Sequence, residues 1–434
     1  MSLAANGASG ILLRAEQEKA VPIAAGRGPG SQEDIVTLPI ASRVQDIRQS
    51  DIRRFSAICA AMKGVNLSQG VCDQPAPEAV KSAAKRAIDD DHAVYTNLRG
   101  IIELRRAIAE KMREFNGIEC DPETEVAVTV GSAGSFACAA LATLNPGDEC
   151  VIFSPFYSYH VNLLGLFEVK VNYVDLAPPD WSYDRNQLEQ AFTDRTRMIL
   201  INTPANPSGK VFNESELRHI ADLAGRHDTW IVTDEIYEYI TYGHRHVSVG
   251  RFSQARDRTL TMSGASKTYA VTGWRIGYTV GPADIIDRMA VVNDLLYICA
   301  PAPLQHGIVA GMNLPDSYYK AMCEDYLAKR DLLVDTLREV GFRPFVPDGS
   351  YYLLAEFEAG RWANTTSATE AILNEVGVAT VPGSAFYRNP ADGQRQLRFC
   401  YAKKMVDLEE ACRRLRKLGA RSASAASPQR ISGV

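Results

Sequence analysis

Residues 125–144 read EVAVTVGSAGSFACAALATL. A short β-branched run passes through Gly131 into a small-residue segment with helical spacing, so a strand feeds directly into a helix. The succession recurs downstream. ECVIF (149–153), VKVNYVDL (169–176), RMILIN (197–202), WIVTDE (230–235), TLTMS (259–263) and RIGYTVG (275–281) alternate with helix-period stretches such as ESELRHIADLAGRH. Strands that alternate with helices pair in parallel, because each helix returns the chain to the same end of the sheet, and helices then cover both faces. The sequence therefore predicts an α/β fold over 76–310, a large domain built on a mainly parallel seven-stranded sheet.

Beyond 310 the pattern changes to long amphipathic helices, KAMCEDYLAKRDLLVDTLREVG and LEEACRRLRKLG, with two strand runs, YYLLAEF and QLRFCYA. This predicts a smaller α+β domain over 311–421, shared with an N-terminal arm at 36–75. Residues 1–35 and 422–434 are small, polar and rich in Gly, Ser, Ala and Pro, a composition that predicts flexible tails. The chain has 434 residues, more than one hydrophobic core normally serves, which agrees with two domains.

Forty-seven basic and 52 acidic residues are dispersed and leave a net charge of −5, so neither a nucleic-acid nor a membrane surface is indicated. A small-molecule ligand is favoured. The nine cysteines are odd in number, scattered and without a CxxC pair, and read as reduced thiols of a cytoplasmic protein. His244 and His246 have no cysteine or carboxylate cluster beside them in the sequence, and no metal site is expected there. No apolar run reaches the ~18 residues of a membrane span.

In sheets of this kind ligands bind at the carboxyl ends of the strands, and the chemically unusual residues fall there. Ser132, Ala133 and Gly134 open a helix and offer backbone N–H groups to an anion. Tyr157, in SPFYSY (154–159), presents an aromatic face at a sheet edge, or packs in the core. Asn206 sits in the proline-braced turn NTPANPSGKVF (202–212). Asp234 ends a buried strand and needs a cationic partner. Tyr237 follows three residues on. Lys267 and Arg275 lie eight residues apart in SGASKTYAVTGWRIGY (263–278). Alone, Lys267 reads equally well as a solvated lysine in a polar loop. Taken together, an anion pocket, a carboxylate, hydroxyl and amide donors, an aromatic face and an amine nucleophile match a phosphorylated pyridine aldehyde, pyridoxal 5′-phosphate.

From 63 to 415 the chain resembles the fold-type I, class I/II aminotransferases, in the branch that holds aspartate, aromatic and kynurenine aminotransferases. The resemblance rests on NLSQGVCDQPAPEAV, YTNLRGIIELRRAIAEKM, VTVGSAGS, NPGDECVIFSPFYSY, NTPANPSGKVF, TDEIYEYITY, SGASKTYAVTGWRIGY, VPGSAF and LRFCYA, taken in order. It implies that Lys267 bonds to the cofactor aldehyde and becomes the general acid/base once substrate displaces it. It implies that Asp234 holds the pyridine nitrogen protonated, that Asn206 and Tyr237 donate to the phenolic oxygen, and that Tyr157 stacks on the ring. Arg275 with Ser132, Ala133 and Gly134 would bind the phosphate. Arg398 and Gly70 would take the substrate α-carboxylate, and Tyr95 would reach the phosphate of a neighbouring subunit in a homodimer.

The chain departs from the family in GSAGS (131–135), where many relatives carry an acidic or Gln residue after a Thr, and at Gly264, a serine in some relatives. Arg99 is the one candidate for a distal carboxylate, and neutral or aromatic amino donors are expected, with 2-oxo acids as acceptors. The same residue set also serves relatives that resemble aminocyclopropane-carboxylate synthase and catalyse elimination, replacement or cyclisation. A regulatory cofactor-binding module is a third reading. It lacks support, because the N-terminal stretch is too short and too low in complexity for a winged-helix domain.

Overall fold

The computed structural model describes residues 39–45 and 51–425. The predicted tail over 1–35 lies outside them, as does the predicted C-terminal tail beyond Ala425, where the last helix, Met405–Ala425, ends.

The large sheet contains β1 (Val126–Val130), β2 (Glu149–Ser154), β3 (Lys170–Ala177), β4 (Ser182–Tyr183), β5 (Thr196–Asn202), β6 (Trp230–Asp234), β7 (Thr259–Gly264) and β8 (Ile276–Val280). Their spatial order is β1-β8-β7-β6-β5-β2-β3-β4. The seven predicted strands are all present, and the eighth, β4, is a two-residue edge strand antiparallel to β3. Two residues are too few to leave a periodic signal. The pairs β3/β2, β2/β5, β5/β6 and β6/β7 are parallel, whereas β8 runs antiparallel to both β7 and β1.

Both faces of this sheet are buried, and the period of two shows which residue faces which side. Ile152, Leu200, Val232 and Leu260 join one core with Phe136 and Cys138 of the helix Gly131–Thr143. Val151, Ile199, Ile201 and Ile231 join the other with Leu217, Ile220 and Leu223 of the helix Glu214–Arg226. Each such side chain contributes about 1.5–3 kcal/mol through burial. The helix Glu214–Arg226 starts at a capping box, in which Asn213 accepts from the Glu216 N–H and the Glu216 carboxylate accepts from the Asn213 N–H.

A second sheet contains β9 (Phe342–Pro344), β10 (Tyr352–Phe357), β11 (Val381–Pro382) and β12 (Gln396–Cys400), in the order β9-β10-β12-β11, antiparallel throughout. Leu333 and Leu337 of the 24-residue helix Asp316–Glu339 pack with Leu353, Leu397 and Phe399 in its core. Val65 and Asn66 pair in parallel with Val378 and Ala379, which ties the segment before the large sheet to this second unit. Ile236, Tyr237 and Ile240, just after β6, belong to the same core. The residues that follow the central strand thus join the site to the smaller sheet.

Candidate active site

A cavity of about 220 Å³ opens at the carboxyl ends of β5, β6 and β7, lined by Gly70, Ser132, Ala133, Tyr157, Asn206, Asp234, Tyr237, Lys267, Arg275 and Arg398 among others. Strand register puts most of them there. Asn202 lies opposite Asp234, Asp234 opposite Met262, and Gly264 opposite Gly277. Lys267 follows β7 on the single-turn helix Ala265–Thr268. Arg275 immediately precedes β8, and because β8 runs antiparallel its first residue lies at the same edge of the sheet where its parallel neighbours end. The eight-residue spacing between Lys267 and Arg275 therefore spans one loop around one cavity.

Gly131 is left-handed, with φ +70°. A Cβ there would stand 2.4 Å from Arg275 Nη2, so only glycine lets the guanidinium lie across the start of the helix Gly131–Thr143. No side chain caps that helix, which leaves its first-turn N–H groups available to an anion. Ser132 and Ala133 line the cavity. Gly134 is not among its lining residues, and its Cα faces Val130 and Tyr297. The serine that some relatives carry at Gly264 has no room here, since a Cβ would meet the Ile276 carbonyl oxygen at 2.9 Å.

Asp234 Oδ2 lies 3.0 Å from His160 Nε2, and its Oδ1 accepts from the Ile236 N–H at 3.2 Å. Tyr237 donates to the Tyr352 hydroxyl at 3.3 Å, and burial pushes its own hydroxyl well above the usual tyrosine range, so it stays protonated. Lys267 Nζ donates to the Gly70 carbonyl at 3.1 Å, and burial holds its amine below the usual lysine range. Gly70 has no space for a side chain, because a Cβ would fall 1.6 Å from the Tyr352 hydroxyl. Tyr157 stacks on Tyr159, with ring centroids 5.1 Å apart.

Arg398, on β12, is almost completely buried. Its Nη1 donates to Asn206 Oδ1 at 2.9 Å, its Nη2 donates to the Ser68 carbonyl, and its Nε is buried without a partner. Arg275 donates to the Thr272 carbonyl at 3.0 Å. Among the described residues, none of Lys267, Arg275 and Arg398 has a carboxylate within ion-pair distance, although all three line the cavity. Arg398 is buried and Lys267 and Arg275 are half-buried, and cations withdrawn from water without a counterion are costly, so this cavity is built to receive anions. Two guanidinium groups, an uncapped helix start, one carboxylate with a histidine behind it and a lysine of depressed basicity together fit pyridoxal 5′-phosphate and a substrate carboxylate.

Some placements differ from expectation. Arg99 is absent from the cavity lining and is held by Asp287 Oδ1 at 2.6 Å, which removes it as a distal carboxylate site. Tyr95, whose expected phosphate contact lies on a neighbouring subunit and not on this chain, is largely exposed and does not line this chain's own cavity. The sequence showed no carboxylates beside His246, yet folding brings Glu235 and Glu238 to it. Their ligand-type atoms all lie within 4.8 Å of one another. Lys111 Nζ sits 2.5 Å from Glu238 Oε2, so Glu238 already has a cation of its own.

Sequence reasoning missed His160, Tyr352 and Arg53. His160 stands three residues after Tyr157 at the start of the helix Ser158–Leu166, a spacing that puts both on one face, but nothing local tells that face from core.

The family model for aminotransferase class I and II matches residues 62–415. An aspartate aminotransferase of Rhizobium meliloti is 35% identical over 395 residues, covering 86% of this chain and 95% of its own. The structure of N-succinyldiaminopimelate aminotransferase from Mycobacterium tuberculosis superposes with TM-score 0.85 at 33% identity, over 88% of this chain and all of that one. A methionine aminotransferase of Escherichia coli is 29% identical over 378 residues, covering 87% of this chain and 98% of its own.

Proposed function

This chain belongs to the class I and II aminotransferases, and from that premise we propose a division of labour among its cavity residues. It is a pyridoxal 5′-phosphate-dependent enzyme that moves an amino group between amino acids and 2-oxo acids; the relatives favour this transfer over elimination or cyclisation. When bound, the cofactor supplies an aldehyde that takes up the amino group and a ring that delocalises the electron pair left on the substrate Cα.

Arg275 and the N–H groups of Ser132, Ala133 and Gly134 bind the phosphate. Asp234 holds a proton on the ring nitrogen, and His160 fixes the orientation of its carboxylate. Tyr237, kept protonated by burial, and Asn206, whose Oδ1 is engaged by Arg398, turn a hydroxyl and an amide N–H₂ toward the phenolic oxygen. Tyr157 covers one face of the ring. Lys267 Nζ carries the cofactor and afterwards moves the substrate's Cα proton, a task its lowered basicity suits.

Arg398 grips the α-carboxylate with its planar fork, next to the Gly70 backbone. The amino donor is a neutral or aromatic amino acid, in keeping with Tyr159 and the apolar residues Ile52, Val71 and Leu163 in the cavity wall. Tyr95, exposed on this chain, completes the phosphate site of a second copy in a homodimer. We place the enzyme in the cytoplasm, in keeping with nine free thiols and with no helix among the described residues long and apolar enough to cross a membrane.

The observation that carries this reading is the set of three cavity cations without a counterion. Its test is a single turnover without acceptor: the holoenzyme mixed with a neutral or aromatic amino acid releases one matching 2-oxo acid per site, and borohydride reduction of the resting enzyme fixes the cofactor on Lys267. Label on another lysine, or no oxo acid from any amino acid, would refute it.

A further inference from the structure

Two donors share one acceptor at the cavity wall. Lys267 Nζ and the Tyr351 hydroxyl each donate to the Gly70 carbonyl at 3.1 Å. Lys267 and Gly70 line the cavity, whereas Tyr351 does not. The tyrosine is fully buried and held from several sides. Its ring packs against Tyr237, Tyr326 and Tyr352, with centroids 5.0, 5.7 and 4.9 Å away, and its carbonyl accepts from the Tyr401 N–H at 3.0 Å. Burial pushes its hydroxyl well above the usual tyrosine range, so it remains a donor. The next residue, Tyr352, fills the space that a side chain on Gly70 would take.

The two donors differ in what the chemistry asks of them. On the reading above, Lys267 leaves the Gly70 carbonyl when its nitrogen bonds to the aldehyde carbon of the cofactor and water departs. Gly70 is half-buried, so a ligand in the cavity shields it from water, and an unpaired carbonyl there is costly. A carbonyl oxygen has two acceptor positions, and the Tyr351 hydroxyl fills one of them whether or not the lysine is present.

We propose that Tyr351 is a positioning residue for Lys267: its hydroxyl keeps the Gly70 carbonyl paired and in place while the lysine is on the cofactor, so the amine leaves that carbonyl at little cost. This inference rests on the assignment of Lys267 made above. Tyr351 touches neither cofactor nor substrate in this scheme. Its effect on the cofactor therefore depends on the lysine being there, which the effect of a merely structural tyrosine would not.

The test is a double-mutant cycle, read by calorimetry of pyridoxal 5′-phosphate binding to the cofactor-free full-length chain. With Lys267 in place, Tyr351→Phe leaves the carbonyl without either donor only in the bound state, and affinity should fall about tenfold, the scale of one lost buried hydrogen bond. In a Lys267→Ala background the mobile donor is missing from both states, and Tyr351→Phe should leave affinity unchanged. Tyr326→Phe removes a neighbouring buried hydroxyl, one that donates to the Cys72 sulfur at 3.6 Å, and should bind cofactor as the wild type does. Equal losses in both backgrounds, an unchanged affinity with Lys267 in place, or the same loss from Tyr326→Phe would overturn the proposal. Borohydride reduction of the wild-type holoenzyme is run alongside. Label on a lysine other than Lys267 would bring down the underlying assignment, whereas label on Lys267 with an additive cycle would overturn the role of Tyr351 alone.

Discussion

Two groups of charges flank the segment 234–238, one fully buried and one lining the half-open cavity, and they are built on opposite principles. Asp234 and Tyr237 face the cavity, where Lys267, Arg275 and Arg398 have no counterion. Glu235 and Glu238 turn the other way into a closed cluster. Glu238 receives Lys111 at 2.5 Å, Asn116 at 2.8 Å and Ser263 at 2.6 Å. Glu235 meets His246 at 2.7 Å and accepts from Ser248 and Thr233. Burial alone would push the Glu238 carboxyl up, but Lys111, His246 and Asn116 outweigh it and hold it below the usual range. Charges that satisfy one another position a loop. Charges left unsatisfied await a ligand, and adjacent residues of one short segment, 234 and 235 and then 237 and 238, serve both ends.

The largest effect should come from opening the closed cluster. Lys111→Met leaves Glu238 buried without its cation and should cost about 3–5 kcal/mol of stability, read from the urea midpoint of the holoenzyme. A loss under about 1 kcal/mol would mean that the cluster is not a closed ion pair, and the contrast with the cavity would fail.

The next effect lies in the cavity and on rate. Arg398→Lys keeps the charge but loses the fork, and kcat/KM should fall by about 2–4 kcal/mol across all substrates. An unchanged kcat/KM would remove Arg398 from α-carboxylate binding.

The smallest effect sharpens the contrast through pH. Burial lowers the pKa of Lys267 in the folded apoprotein below its ordinary 10.5. Between the two values the unfolded chain binds more protons than the folded one, so stability rises with pH across that window. Lys267→Met removes this slope. Its stability relative to wild-type apoprotein should be greatest at neutral pH and should decline as the pH approaches 10.5. Parallel denaturation midpoints for the two proteins over that range would show that the cavity carries no such charge penalty.

Much of this could be read in the primary structure because the signals are local. Apolar alternation over five to eight residues marked the strands of the large sheet, with only the two-residue β4 missed. Lys267, Asp234, Asn206 and Arg275 stood out because each is a polar or charged residue directly beside such a strand. Gly134 stood out because it shares a turn with Ser132 and Ala133; a side chain added there would point toward Val130 and Tyr297.

By itself, then, the sequence determined the succession of strands and helices and the chemical types gathered at the strand ends, since both depend on spacings of a few residues. Only the tertiary structure decided which charges pair. His160 meets Asp234 across 74 residues, Arg398 meets Asn206 across 192, and His246 finds two glutamates where its neighbours in sequence offered none. Arg99, too, is withdrawn from the site by Asp287, 188 residues away. Hydrogen bonds and ion pairs act over about 3 Å, a range that sequence separation does not encode. Strand register and the antiparallel turn of β8 set those distances, and they separate a lysine that holds a loop from one that faces a ligand.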